Sequence, residues 1–196
     1  MILMNDQSKF NKIKSMGLIS AKTLQEYLGI SQPTLSRLVA NGKILRLSYG
    51  VYAHPDLKIS PEEIDFAVAC ARFGPMSAIG GLSALFHYGL TDQPPSQIWV
   101  IAPSNKSDHN SLYRAIRLNV LTKAGIDSFK FYRITNIERT IIECLRFSSK
   151  IGQRVGIYAA RTALERRLTT QKKLEEMARN LDEYPTLEKF WEAIVA

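Results

Sequence analysis

The stretch ISQPTLSRLVANGKILRLSYGVYAHP, residues 30–55, carries Arg37, Lys43 and Arg46 and not one acid. Ser31 is placed to cap a helix, QPTLSRLVANG, in which Pro33 falls in the first turn, where a missing N–H is harmless, and Gly42 supplies the stop. Leu35, Leu38 and Val39 make its apolar stripe. At about 100° per residue that stripe turns Thr34, Arg37 and Asn41 outward and leaves Gln32 and Ser36 beside the leading end. Next, Ile44, Leu47, Val51 and Tyr52 bracket a turn at Ser48-Tyr49-Gly50, and Gly50 can take the positive φ of a short hairpin loop with a bulge.

Working upstream, Ser20 is expected to cap AKTLQEYLG, with Leu24, Tyr27 and Leu28 on one face and Gly29 as the stop. Ile2, Phe10, Ile13 and Met16 are spaced as one face of a still earlier helix. Two short helices that meet through LGIS read as a helix-turn-helix, whose second helix enters the major groove while the first crosses the backbone. The hairpin then reads as a wing. Arg can pair guanine bidentately, Gln and Asn can do so with adenine, and a wing can meet phosphates or the minor groove. The candidate DNA-binding residues are Gln32, Thr34, Ser36, Arg37, Asn41, Lys43, Arg46, Ser48 and Tyr49. The competing reading is a solvated polar face on a small structural bundle, and the hairpin argues against it.

Charge agrees with the placement of the candidate site. The chain has 196 residues and a formal net charge of +8, but residues 1–55 hold seven Lys and Arg against two acids. Such a balance points to a polyanionic partner without naming it. MILMNDQSKF lacks the basic start and apolar core of a secretory signal, and no apolar run approaches the ~18 residues of a membrane span, so a cytoplasmic location and no membrane partner are expected. Cys70 and Cys144 lie in apolar helical patterns and read as buried reduced thiols.

After Pro55 the pattern changes. SPEEIDFAVACARFGP and GGLSALFHYGL read as helices, QIWVIAP as a buried strand, and AIRLNVLT and SFKFYRIT as half-exposed strands. In TNIERTIIECLRF, Thr135 and Glu138 fit a capping box, with Ile137, Ile141, Ile142 and Leu145 inward. GQRVGIYAARTALERRL, TQKKLEEMARNL and TLEKFWEAIVA complete a helical tail. The expected fold is therefore α+β, with an N-terminal winged helix-turn-helix over residues 1–55. A larger mixed domain over 56–196 follows, with a small β-sheet and a helical C-terminal part. Arg154, Arg161, Arg166, Arg167, Lys172 and Lys173 form a possible second basic surface, or else a solvated helix face partly balanced by Glu165, Glu175 and Glu176.

No catalytic signature emerges. His54, His87 and His109 join no cysteine or carboxylate at ligand spacing, His87 reads as a core histidine, and neither a P-loop nor GxGxxG occurs. Asp127 and Lys130 alone make a poor start for a metal-dependent nuclease. The expectation is a protein without enzymatic activity, metal or cofactor.

The ordered segments GKILRLSYGVYAHP (42–55), SAIGGLSALFHYGLTDQPPSQIWVIAP (77–103) and RITNIERTIIECLRFSSKIG (133–152) resemble the abortive-infection E antitoxins, the regulator half of type IV toxin–antitoxin pairs in phage defence. The resemblance covers residues 8–180, and LDEYPTLEKFWEAIVA lies outside it. It implies a winged helix that represses its own operon through double-stranded promoter DNA. It also implies a second domain that counteracts a nucleotidyltransferase-like toxin without needing a stable complex. Gln32, Thr34, Ser36, Arg37, Asn41, Arg46 and Tyr49 would serve the promoter. Two alternatives stay open: a stand-alone winged-helix transcriptional regulator with a ligand-sensing or dimerisation domain, and a DNA-directed nuclease.

Overall fold

Two serines start the helices of the first unit. In the computed structural model, which describes residues 6–106, 110–119 and 122–196, Ser20 Oγ accepts from Thr23 N–H at 3.1 Å and Ser31 Oγ from Thr34 N–H at 3.4 Å. These bonds satisfy amide groups that a helix start leaves without internal acceptors. They open α2 (Ala21–Leu28) and α3 (Gln32–Ala40). Between them Gly29 takes φ +62°, and the Ile30 amide reaches back to the Leu24 carbonyl at 3.2 Å, which closes α2 and turns the chain.

Helix α1 (Asp6–Met16) precedes this pair, followed by strand β1 (Leu18–Ser20). After α3 come β2 (Leu45–Ser48), β3 (Val51–Ala53) and α4 (Pro61–Phe73). The three strands form one antiparallel sheet in the order β1-β3-β2, so Tyr52 stands opposite Ile19 on one side and Arg46 on the other. Ile13, Ile19, Leu24, Leu28, Ile30, Leu35, Ile44 and Tyr52 bury the core. Each such side chain contributes about 1.5–3 kcal/mol through removal from water.

Several expectations change here. Strand β1 is absent from the sequence reading, since three residues carry no alternation. Met16 is 41% exposed and does not join Phe10 and Ile13 inward; it ends the helix, and Gly17 at φ +73° turns the chain away. Ile2 and His109 lie outside the described residues. Helix α4 packs against β1 and β3, so the first compact unit runs through Pro75 and the second spans Met76–Ala196. A division at residue 55 would have separated α4 from its sheet.

The second unit begins with β4 (Ala78–Ile79), α5 (Gly81–His87), β5 (Ile98–Pro103) and β6 (Tyr113–Leu118). The hairpin strands β7 (Ile126–Ser128) and β8 (Arg133–Thr135) follow. The sheet order is β6-β5-β4-β8-β7, parallel at β5/β6 and β4/β8 and antiparallel elsewhere. SFKFYRIT is thus no single strand: it folds back over residues 129–132, where the Phe129 and Tyr132 rings stack with centroids 4.8 Å apart.

Helices α6 (Ile137–Arg146), α7 (Ser148–Ile151), α8 (Gln153–Glu165), α9 (Gln171–Asn180) and α10 (Tyr184–Val195) complete an α+β chain that is about half helical. Helix α6 is the centre, with α5, α8, α9 and α10 packed on it. Gly156 permits the approach of α8, because a Cβ there would lie 3.0 Å from Leu145 Cδ2 and 3.3 Å from the Cys144 carbonyl carbon. The cap of α6 is Asn136, whose Oδ1 accepts from Arg139 N–H at 2.9 Å. Thr135 instead completes β8, and Glu138 accepts from the Thr169 hydroxyl at 2.7 Å. His87 is exposed at the end of the short α5, whose buried side chains are Ser83, Ala84 and Leu85. Cys70 and Cys144 are buried and form no disulfide.

Within α6, Arg139 and Glu143 are buried one turn apart, with Arg139 Nε donating to Glu143 Oε1 at 2.8 Å. Arg139 Nη1 also donates to the carbonyls of Thr122 at 2.8 Å and Ala124 at 2.7 Å. Burial pushes the Glu143 carboxyl above the usual carboxylate range, and Arg139 opposes that push. Arg139→Met should therefore cost about 3–5 kcal/mol by leaving a buried charge without its counter-ion, whereas Arg139→Met with Glu143→Leu should recover much of the loss. A carboxyl whose folded pKa is raised loses stability as pH rises through that folded value, so the single-variant deficit should be smallest in acid and grow toward neutrality. Urea unfolding followed by tryptophan fluorescence measures this in the second unit alone, because Trp99 and Trp191 are the only tryptophans.

Candidate nucleic-acid interface

Helix α3 is held to the first unit by one side only. Leu35 is buried, while Leu38 and Val39 are half-buried and pack on the same core. Gln32, Ser36, Arg37 and Asn41 are exposed, as the sequence periodicity requires. Thr34 is half-buried, and its hydroxyl lies 2.9 Å from Ser31 Oγ, so it belongs to the helix cap as well as to the polar face. Asn41 caps the end of α3, one residue before Gly42 at φ +66°. The Lys43 and Ile44 amides then return to the Leu38 carbonyl at 2.9 and 3.3 Å, which leads the chain into β2.

Strands β2 and β3 meet at a two-residue turn, Tyr49-Gly50. The pairing is irregular between Arg46 and Ser48: Arg46 faces Tyr52 and Ser48 faces Val51, so Leu47 is the extra residue. Such a bulge increases local twist. At the tip Tyr49 is 76% exposed, and the Arg46 guanidinium lies over its ring, 5.3 Å from the centroid. Helix α4 secures the turn, as Arg72 Nη1 donates to the Tyr49 carbonyl. Ser48 is half-buried beside it.

A cavity of about 770 Å³ opens along α3, lined among others by Arg37, Asn41, Lys43, Phe10 and His54. The Lys43 ammonium sits 5.9 Å from the centre of the Phe10 ring. Asp56 is also on this rim, but its carboxylate accepts from Lys14 Nζ at 2.7 Å, and that hydrogen bond, with the Lys14 charge, holds its pKa below the usual value. Glu26 is paired with Lys22 at 3.7 Å. The first unit therefore presents guanidinium, ammonium, amide and hydroxyl donors from one helix and one hairpin. These groups can contact phosphate oxygens and base edges.

Arg154, Arg161, Arg166, Arg167, Lys172 and Lys173 do not make one uncommitted surface in the second unit. Arg161 donates to the Ile194 and Ala193 carbonyls at 3.3 and 2.7 Å, closing the end of α10. Arg166 donates to the Gly89 carbonyl at 2.9 Å, and Lys172 is 4.0 Å from Glu176. Arg154, Arg167 and Lys173 are exposed. Arg139 and Glu143 are polar residues that sequence reasoning missed. The signal was their i, i+4 spacing inside an apolar helix, but the same spacing also describes a solvated surface pair. Among the described residues no three His, Cys, Asp or Glu gather as a metal-holding group.

No protein-family model matches the chain. None of the curated proteins matches it. Among solved structures, it is similar to the crystal structure of the RV2827C protein from Mycobacterium tuberculosis, with 16% sequence identity and a TM-score of 0.49 over 83% of this chain. The chain spans 66% of that protein's length.

The hairpin tip depends on Gly50, which has φ +74° and open space where a Cβ would project. Gly50→Ala should therefore act through backbone strain alone, at about 1–2 kcal/mol. Amide hydrogen exchange should show it as a roughly 5- to 30-fold acceleration confined to β2 and β3.

Proposed function

We propose that this chain is a DNA-binding antitoxin of a type IV toxin–antitoxin system. Its first unit acts as a winged helix-turn-helix: α2 and α3 form the helix pair, α3 enters the major groove, and the β2–β3 hairpin is the wing that meets the flanking backbone. Binding at its own promoter represses the operon. The second unit counteracts a nucleotidyltransferase-like toxin in the cytoplasm. The observation that carries the DNA half is the exposed row Gln32, Ser36, Arg37 and Asn41 on α3, beside a hairpin tipped by Arg46 and Tyr49. The antitoxin half rests on the three ordered segments that resemble the abortive-infection E antitoxins. No helix among the described residues is long and apolar enough to cross a membrane.

A second reading, a stand-alone regulator whose second unit senses a ligand, is favoured by a cavity against the buried Arg139–Glu143 pair. Co-expression separates the two. An Arg37→Ala/Arg46→Ala double variant, produced from an unrelated promoter beside a candidate nucleotidyltransferase-like toxin gene, should restore growth if neutralisation is a property of the second unit. A well-folded variant that fails to restore growth would contradict the antitoxin reading.

The DNA contacts have their own signatures. Arg37→Ala should lose discrimination at one operator base pair by about 1–3 kcal/mol, as a lost base contact does, whereas an equal loss on every sequence would remove α3 from the groove. Arg46→Ala should weaken binding evenly and lower the slope of log affinity against log salt by about one unit. Fluorescence anisotropy on promoter and scrambled duplexes across a salt series measures both.

A further inference from the structure

The second unit contains a cavity of about 420 Å³ between the end of β6, helix α6 and the turn that joins α9 to α10. Its volume lies within the ~300–1,000 Å³ of small-molecule sites. Glu143 and Arg139 line it from α6. The Glu143 side chain is only 3% exposed, and one of its oxygens, Oε1, is held by Arg139. The other, Oε2, is buried and has no hydrogen-bond partner among the described residues. An unmatched buried acceptor is costly, and buried polar groups are nearly always paired.

The surroundings restrict what would pair it. Arg139 already neutralises the carboxylate, so an ammonium brought to Oε2 would crowd a second cation into a site with little water. A neutral N–H or O–H donor carries no such penalty. At the rim Arg146 is engaged by Glu183, with Nε 3.0 Å from Oε1. Arg117, exposed on β6, has no side-chain partner among the described residues and is the cation open to an anion. Phe147 and Leu181 add apolar surface to the lining, which also includes Asp182.

We propose that this cavity binds a small organic anion by both ends, a neutral N–H or O–H donor on Glu143 Oε2 and a carboxylate or phosphate on Arg117. The site is independent of the DNA-binding face and does not rest on the antitoxin reading.

Isothermal titration of the full chain tests it with two families of probe. N-acetylglycine and N-acetylalanine supply an amide donor with a carboxylate, and cytidine and guanosine 5′-monophosphates supply base N–H donors with a phosphate. The neutral controls are the N-acetyl amides and the nucleosides. At least one family should bind with a Kd of about 1 mM or tighter, and its neutral control should bind about tenfold more weakly. Which family binds identifies the anion as carboxylate or phosphate. Arg117→Gln, an exposed change that leaves the core intact, should reproduce the tenfold loss. Glu143→Gln keeps the shape and, with its carbonyl on Arg139, turns the open acceptor into an NH2 donor, so binding should disappear in Glu143→Gln protein whose own tryptophan fluorescence and melting transition show a folded second unit, at a temperature below its lowered melting point. Failure of both families to bind would overturn the proposal. So would binding that is indifferent to Arg117→Gln in protein of unchanged fluorescence and melting temperature.

Discussion

Strand β3, only Val51–Ala53, is buried at all three residues because it has a strand on each side and α4 across it. Everything presented by the first unit is referred to this strand. Its pairing with β1 fixes the segment that leads into α2, since Ser20 is both the last residue of β1 and the cap of the helix. Its pairing with β2 fixes the hairpin. A three-residue strand cannot be stable alone, and two-stranded ribbons are marginal in water. The third strand and the helix give the tip at Tyr49 a rigid base.

The second unit uses a different principle. Helix α6 is surrounded by α5, α8, α9 and α10, and it buries an ion pair among isoleucines and leucine. An apolar pair of similar volume would serve stability as well, so the ion pair is weak evidence for stability and better evidence for a positioning role. Arg139 reaches the Thr122 and Ala124 carbonyls as well as Glu143, which anchors the segment leading into β7 against α6. The cavity beside the pair inherits its walls from that arrangement.

Electrostatics and shape divide the labour on the proposed DNA face. In the proposed complex the exposed arginines and lysine would supply affinity for any polyanion, with a strong dependence on salt. Under that proposal, selection among sequences is assigned to Arg37, Asn41 and Gln32, whose side-chain types can pair base edges. Pairing of Asp56 with Lys14 and of Glu26 with Lys22 keeps two acids of the first unit engaged with cations. In the second unit, by comparison, Arg161 and Arg166 hold backbone carbonyls.

Local chemistry in the sequence was sufficient for the caps at Ser20 and Ser31, the stops at Gly29 and Gly42, the exposed row on α3 and the positive-φ turn at Gly50, whereas Ser48 belongs to β2 and the bulge falls at Leu47. Each depends on hydrogen bonds and backbone angles within a few residues. The tertiary structure decided what depends on distant partners. Strands β1 and β4 exist because of the strands beside them, α4 joins the first unit because its apolar face fits β1 and β3, and Asn136 takes the cap that Thr135 leaves when it enters the sheet. Burial of Arg139 and Glu143 belongs to the same class. Their spacing is written in the sequence, but whether an i, i+4 ion pair faces water or a core depends on what packs around its helix, and here α5, α8, α9 and α10 pack on α6.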